Sequence, residues 1–381
     1  MAKRLLGGIR DRTAIAGVGY TSFSKDSGVS TLTLACEAIL AALDDAGLTP
    51  DDVDGLATHR VGDSAPPSTV GPALGLPAPS WYLDQFGGGS VSHSVIAQAA
   101  LAVAAGMADV VVCYRAINAR SEFRMGRAAN PAPEAAFQAP YGYVAPAQMY
   151  AMYARAHMTK YGTQPEHFGA IAVTERAAAA KNPRALMRTP ITLDDYLASR
   201  WIAEPFRLLD CCLETDGACA VVVTTTERAR DLPHPPVLIT AAAFGGGSHP
   251  FDGPDMTVSA AAELSPRLYS MAGLGPADVD VAQIYDCFTY SVVVQFEDYG
   301  FCAKGEGGLY AASGSAVPYN THGGFLSEGY VHGINHIAEA VSQLRGDAGD
   351  RQVPGAEVAL STAQPGYVLA ATSALILRKD T

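Results

Sequence analysis

Two stretches in the second half of the sequence gather side chains able to move protons: "YDCFTY" at 285–290 and "GGFLSEGYVHGINH" at 323–336. The first presents Tyr285, Asp286 and Cys287, the second Tyr330, His332 and His336, with His322 just ahead of it. Neither couples a nucleophile to a base in the manner of a covalent catalyst, so the chemistry they suit is acid–base transfer through phenols and an imidazole. A free tyrosine hydroxyl has a pKa of about 10, and to act as a base near neutrality it needs a hydrogen-bond donor, a positive neighbour or a helix end beside it. Tyr330 stands before a predicted helix whose apolar face is Ile334, Ile337, Ala338, Val341 and Leu344, where the macrodipole favours an anion. That position is worth roughly 0.3–1 kcal/mol, less than one pKa unit, so other groups must supply the remainder. His332 is the nearest residue to orient or polarise the phenol.

Each of these side chains also has a structural reading. A tyrosine at a strand or helix end commonly packs its ring and bonds its hydroxyl locally. His332 can cap or pack, His322 in the glycine turn and His336 along the helix read as structural, and Asp286 reads as a turn residue bonded to backbone. Gly88 and Gly89 in "FGGGS", and Gly323 and Gly324 in "THGGF", mark tight turns with close backbone approach, or turns whose N–H groups form an oxyanion hole. "GEGG" at 305–308 lacks the Lys-Ser/Thr of a phosphate-binding loop, which leaves nucleotide hydrolysis unsupported.

The elements that must hold these residues alternate from the start. "TAIAGVGY" reads as a buried strand, residues 30–46 as a helix, "VDGLATH" as a strand, and 91–115 as a second helix running into the strand "DVVVCYRA". This βαβα order predicts a layered α/β fold. An internal repeat sharpens the expectation: "AGLTPDDVDGLATH" at 46–59 returns as "AGLGPADVDVAQIYD" at 272–286, which sets Tyr285 where the first copy has His59. Strand ends in such folds are where ligands approach. "GGGS", before the helix of 91–105, has a looser counterpart in "GGFLSEGY", before the helix of 331–345. The chain thus divides into halves 1–230 and 231–381, with a seam in "TTTERARDLPHPPV" (224–237). Residues of about 120–205, outside the repeat, form an insertion in the first half suited to a lid or pocket wall.

With 381 residues, 49% of them hydrophobic, the chain has ample material for a large core. A net charge of −12 with only 17% charged residues argues against a general nucleic-acid or anionic-membrane surface, and an anionic ligand would need a local basic patch. Ser94 to Met107 reads as a buried helix rather than a membrane span, and the apolar run near the N-terminus is too short and glycine-broken for a signal peptide, so a cytoplasmic protein is expected. Seven cysteines without C-x-x-C spacing read as free thiols rather than disulfides or zinc ligands.

The duplicated halves, "YDCFTYSVVVQFEDYGFCAKGEGG" (285–308), "NTHGGFLSEGYVHG" (320–333) and "SRWIAEPFRLLDCC" (199–212) together resemble the thiolase superfamily over nearly the whole chain, and within it the sterol-carrier-protein-X and lipid-transfer-protein branch. The resemblance implies a thiolase-like α/β fold, two duplicated βαβα-type halves in a layered αβαβα arrangement. It also marks what thiolase chemistry lacks here. Phe86 of "DQFGGGSVSH" stands at the place of the acyl-accepting cysteine, Tyr330 at that of the Gly-His-Pro histidine, and "LSTAQPGY" (360–367) has no cysteine for the late acid/base step. A phenyl ring cannot accept an acyl group, so thiolase activity is not expected. "YDxFT" and "NTHGG…YxHG" instead resemble the thiolase-like steroid side-chain aldolases, in which two tyrosines, one in each motif, are catalytic; they match Tyr285 and Tyr330. Cys287, where some members carry histidine, and a spacing between the motifs a few residues shorter than theirs are departures that bear on substrate detail.

The resemblance thus implies a carbon–carbon lyase of steroid side-chain degradation: retro-aldol cleavage of a steroid-derived β-hydroxyacyl-CoA to a ketosteroid and a short acyl-CoA. That reaction needs a base for the β-hydroxyl, stabilisation of the thioester enolate and an acid for the α-carbon. It needs no covalent nucleophile, no metal and no cofactor beyond the coenzyme A thioester of the substrate itself. Tyr285, Tyr330 and His332 are the catalytic candidates, with Tyr330 preferred as base and Tyr285 as proton donor, although the residues alone leave the direction open. For the phosphates of coenzyme A the densest basic run is Arg115, Arg120, Arg124 and Arg127, followed by Lys181, Arg184 and Arg188; both runs also read as solvated surface charge. The same resemblance implies a homodimer joined by a separately encoded small OB-fold partner in a heterotetramer. Two other functions stay open on the sequence: a non-catalytic thiolase-like acyl-CoA or lipid carrier, and an atypical acyltransferase working through Cys287.

Overall fold

The repeat folds into the same unit twice. In the first copy the helix Thr31–Ala46 ends on Gly47 at φ 66°, a 3₁₀ turn follows at Pro50–Asp52, and strand β2 (Gly55–Arg60) begins; in the second the helix Ala261–Ala272 ends on Gly273 at φ 69°, with a turn at Pro276–Asp278 and strand β9 (Val281–Gln283). Glycine takes the left-handed cap without steric penalty, which is why both copies have one there. The two aspartates of each copy do the same work: Asp52 accepts the Thr49 N–H and Asp278 the Gly275 N–H, while Asp54 accepts from Asp109 and Val110 and Asp280 from Glu357 and Val358. The second pair of bonds staples each repeat strand to the start of its neighbour in the sheet. This is a computed structural model, and it describes residues 8–122, 124, 135–246, 255–366 and 371–381.

The remaining strands are β1 (Thr13–Tyr20), β3 (Trp81–Phe86), β4 (Val110–Asn118), β5 (Trp201–Ala203), β6 (Phe206–Arg207), β7 (Asp216–Thr225), β8 (Val237–Gly246), β10 (Val358–Thr362) and β11 (Ala371–Lys379). Of the eleven strands among the described residues, nine form one sheet in the order β3-β2-β4-β7-β1-β8-β11-β10-β9, and β5 pairs with β6 alone. The order β2-β4-β7-β1 of the first half recurs as β9-β10-β11-β8 in the second, so the duplication reaches the topology, with β3 an extra strand at the outer edge. The halves meet where β1 and β8 run antiparallel through Ala14–Leu238 and Ile15–Val237.

Alternation along the strands builds the layers. Val111 and Cys113 of β4, Val221 and Val223 of β7, Ile239 of β8 and Leu375 and Leu377 of β11 face a shared core with the helices Ser92–Ala104 and Ile334–Arg345. Their neighbours Val110, Val112, Ala220 and Val222 face the helix Thr31–Ala46 on one outer side, and Ala241, Ala374 and Ile376 face the helix Ala261–Ala272 on the other. Successive side chains of a strand point to opposite faces, so continuous apolar runs are what a sheet covered on both sides requires. The face anticipated from periodicity, Ile334, Ile337, Ala338, Val341 and Leu344, is buried in the central layer.

The insertion lies between β4 and β7 and carries the helices Pro146–Tyr161 and Pro165–Ala180. It packs on the second half: Tyr150, Phe168 and Phe206 join one core with Phe288 and Tyr290, and the Phe206 and Phe288 rings stack with centroids 5.2 Å apart.

Candidate active site

Tyr285 lies where the chain leaves β9 and turns into the helix Thr289–Asp298. Its backbone is fixed on both sides: the N–H donates to Thr362 Oγ1 at 3.0 Å and the carbonyl accepts from Gln295 Nε2 at 2.8 Å, while Thr362 Oγ1 itself donates to Gln295 Oε1 at 2.6 Å. Tyr330 is reached from the segment before the helix Ile334–Arg345, its N–H donating to Thr215 Oγ1 at 3.2 Å. The ring of Phe325 stands edge-on to both tyrosines, with centroids 4.7 Å from Tyr285 and 4.9 Å from Tyr330. Held in this way, the two phenol oxygens form a hydrogen bond of 2.7 Å.

Burial pushes both phenols well above the ordinary tyrosine value, so both are neutral at pH 7. Smaller influences separate them. Cys212 and Cys287 add to the effect of burial on Tyr330, while the charge of Arg115 acts the other way and favours a negative oxygen there. The helix contributes less than the sequence suggested, because it starts at Ile334 with Gly333 as its cap and Tyr330 lies outside its first turn. The positive neighbour of Tyr330 is Arg115.

His332, at the unusual φ of 55°, turns its ring against Tyr330 with centroids 4.7 Å apart. Its Nδ1 lies 3.1 Å from Arg115 Nε and 2.8 Å from Nη2, and Nη2 reaches Asp63 Oδ2 at 2.5 Å. Burial, reinforced by Arg115, lowers His332 to about 3. Burial opposes the charge on Asp63 too, but Arg115 outweighs it and holds the carboxyl at about 2. Arg115 is therefore not a surface cation for coenzyme A phosphates, as its place in a basic run suggested; it is fully buried inside the site. His59, the repeat counterpart of Tyr285, sits beside this group with its ring centroid 6.1 Å from that of His332.

The turn Gly88–Gly89 completes the arrangement from the first half. A Cβ on Gly89 would fall 1.7 Å from Tyr285 Oη, and one on Gly88 would fall 3.7 Å from His332 Nε2. These glycines lead through the turn Gly89–Val91 into the helix Ser92–Ala104, at a helix start where N–H groups lack acceptors of their own. Gly323 and Gly324 do not share this role. The Gly323 N–H donates to Asn320 O at 2.8 Å, a Cβ on Gly323 would meet Ala179 at 2.5 Å, and one on Gly324 would meet Asp286 Oδ2 at 2.2 Å. That turn is a packing joint around Asp286, which accepts from Leu326 N–H and lies 3.1 Å from His336 Nε2.

The other basic residues are distributed elsewhere. Arg124 pairs with Glu214, Arg184 covers the Tyr20 ring, Arg120, Lys181 and Arg188 are exposed, and Arg127 lies outside the described residues. Cys287 is buried with Sγ 3.2 Å from Ser291 Oγ, and burial pushes its thiol up to about 12, which removes the thiolate that an acyltransferase would need. Phe86 ends β3 with a largely exposed ring, so the room beside the phenols is kept by glycine rather than filled by that phenyl group. Sequence reading missed the union of Arg115 with Asp63 and His332. Its signal was an arginine within "VVVCYRAIN", a strand otherwise apolar enough to be buried, where a guanidinium demands buried partners.

A duplicated, layered α/β fold with its polar site at the joint of the two halves is that of the thiolases. Residues 247–379 match the family model described as thiolase C-terminal domain-like. Human mitochondrial 3-ketoacyl-CoA thiolase shares the fold with a TM-score of 0.73 at 15% identity, over 98% of this chain and 100% of that one. Three nearer relatives carry other names. The steroid side-chain-cleaving aldolase of Thermomonospora curvata is 46% identical over 96% of this chain and 98% of its own. The 17-hydroxy-3-oxo-4-pregnene-20-carboxyl-CoA lyase of Mycobacterium tuberculosis is 44% identical over 96% and 99%. The structure of the Ltp2-ChsH2(DUF35) aldolase superposes with a TM-score of 0.92 at 45% identity, covering 98% of this chain and 99% of that one. The chain belongs to the thiolase superfamily and, within it, to the family of steroid side-chain-cleaving aldolases.

Proposed function

We propose that this chain is a carbon–carbon lyase that cleaves a steroid-derived β-hydroxyacyl-CoA into a ketosteroid and a short acyl-CoA, with Tyr285 and Tyr330 carrying the proton. The observation that supports this most directly is the 2.7 Å contact between the two phenol oxygens beside a turn stripped of side chains. A retro-aldol reaction moves one proton from the β-oxygen to the α-carbon. Tyr330 accepts the hydroxyl proton and passes its own to Tyr285, which delivers its proton to the α-carbon. The O–H and Cα–Cβ bonds break, the ketone C=O and the new Cα–H form, and both phenols end as they began. Because burial keeps both phenols neutral, such a relay is preferable to a standing phenolate. Tyr330 takes the first place because the charge of Arg115 favours a negative oxygen there. The thioester oxygen, as it becomes an enolate, is placed toward the N–H groups at Gly88 and Gly89.

The edge of the sheet supports a homodimer. Strand β3 is an outer edge on which Tyr82 and Phe86 stand exposed at alternate positions, an arrangement suited to a homodimer formed edge to edge. The name of the solved Ltp2-ChsH2(DUF35) aldolase supports a second, DUF35 component, and we place a separately encoded OB-fold partner with this chain in a heterotetramer. Among the described residues no helix is long and apolar enough to cross a membrane, which accords with work in the cytoplasm on soluble acyl-CoA.

The test is to incubate the co-purified chain and partner with a tertiary β-hydroxyacyl-CoA of the steroid series and to measure ketone release. Tight binding of the thioester without ketone would replace the lyase with a carrier.

A further inference from the structure

Arg115 meets His332 in only one way. A guanidinium donates and cannot accept, so the nitrogen that receives Arg115 Nε at 3.1 Å and Nη2 at 2.8 Å must hold a lone pair. His332 Nδ1 is thus unprotonated, and the ring's proton belongs on Nε2. Arg115 is in turn pinned by Asp63 Oδ2 at 2.5 Å, with both side chains buried from solvent. The other groups around the imidazole are the His59 ring and the Tyr330 ring. None of them offers an anion to Nδ1, and Asp63 reaches Arg115 rather than the imidazole.

The opposite nitrogen faces the reaction space. His332 Nε2 lies 3.7 Å from the Cβ position that Gly88 leaves empty, next to Gly89, where the Tyr285 oxygen also arrives. Three groups from the second half, Tyr285 Oη, Tyr330 Oη and His332 Nε2, therefore stand along one turn of the first.

We propose that Arg115 and Asp63 are positioning residues that fix His332 as a neutral Nε2–H donor to the thioester oxygen on which negative charge develops as the Cα–Cβ bond breaks. This assignment rests on the retro-aldol reading above. It differs from a role in proton transfer: His332 keeps its proton throughout and serves by hydrogen bonding, while the phenols move theirs. The second nitrogen is occupied by a donor that cannot dissociate, so His332 cannot become an imidazolium without expelling Arg115. The burial that lowers His332 to about 3 acts in the same direction.

The test begins with the intact complex, labelled with ¹⁵N at histidine and observed by NMR from pH 5.5 to 9, the His332 signals being identified by their loss in His332→Gln. The expected result is a protonated Nε2 and a bare Nδ1 at every pH. An Nδ1–H tautomer, or a titration within that range, would overturn the proposal whatever the enzyme's activity, which separates it from failure of the lyase reading. In the ketone-release assay His332→Phe should lower kcat by about 10²- to 10³-fold with little change in KM, as removal of an oxyanion donor does. His332→Gln, which restores an N–H donor, should recover part of the loss. In Arg115→Met/Asp63→Leu, which removes both buried charges together, the imidazole should begin to titrate and kcat should fall. A double variant that folds with unchanged tautomer and unchanged kcat would show that the pair is structural only.

Discussion

The phenol oxygens of Tyr285 and Tyr330 are 2.7 Å apart although their residues reach the site from different directions, one from a strand end and one from the approach to a helix. Each phenol is thereby a hydrogen-bond partner of the other, and the proposed relay requires the two to act as one unit.

Removing either hydroxyl should consequently disable the pair. Tyr285→Phe and Tyr330→Phe are expected to lose about 10²- to 10⁴-fold in turnover while keeping the fold, and the double variant should be little worse than the worse single one. Steady-state ketone release, with circular dichroism as the control for folding, reads both. Independent, multiplying losses would argue against a relay.

Gly88 and Gly89 should tolerate alanine very differently. At Gly89 the added carbon meets Tyr285 Oη at 1.7 Å and must displace the phenol, whereas at Gly88 it meets His332 at an ordinary contact distance of 3.7 Å. Gly89→Ala is expected to abolish most turnover and to destabilise by about 1–3 kcal/mol as overpacking does, with Gly88→Ala milder on both counts. Equal effects in thermal melts and turnover would contradict the geometry.

Much of this fold was legible in sequence because it is written twice. The "AGL…PxDVD" pattern specifies a left-handed cap, a capped turn and a stapled strand, each through a residue with a local reason to be there, and local reasons survive without knowledge of the tertiary structure. Tyr285, Tyr330 and His332, singled out through their motifs, do come together in the folded chain. Arg115 was misread because neighbouring basic residues suggested a surface patch; its true setting depends on Asp63 and His332, which only the folded chain brings to it. Gly323 and Gly324 looked equivalent to Gly88 and Gly89 for the same reason: a glycine pair announces close approach but not what approaches. For the first pair it is a helix and a carboxylate, and for the second a phenol and an imidazole.

Cys287→Ala should retain turnover. The thiol is buried and held mostly protonated, and its hydroxyl neighbour is Ser291 rather than a base. Intact-mass measurement after incubation with acyl-CoA should find no adduct at Cys287 in the parent enzyme; an acylated Cys287 on the turnover timescale would reopen the acyltransferase reading.

Acid should weaken the fold through His322, which burial, with a smaller effect of His336, lowers to about 3. Its neutral form is the one the folded state holds, so it has no effect above its unfolded value of about 6.5; below that the unfolded chain takes a proton that the folded chain refuses. Stability is lost progressively as pH falls from about 6.5 toward 3, by about 2 kcal/mol at pH 5. Comparison with His322→Gln cancels carboxyls such as Glu175 and Asp210, whose raised values act in the opposite sense. In urea denaturation the stability difference between parent and variant should shift by about that amount in the variant's favour between pH 7 and pH 5. A constant difference would mean that His322 takes up its proton as readily in the folded protein as in the unfolded chain.

At the sheet's outer edge, Tyr82→Lys/Phe86→Lys should convert a dimer to monomers, as measured by light scattering after size exclusion. A dimer of unchanged mass would place the interface elsewhere.

The equivalence of β2 and β9 has a historical consequence. A scaffold made by copying one half would begin with two matching strand ends, and in this chain those ends differ: one carries Tyr285, while the other carries a buried His59. The second copy brings the phenols, and the first supplies Asp63, Arg115 and the bare glycine turn. Neither half alone carries all of these groups, so the arrangement exists only where the two copies meet.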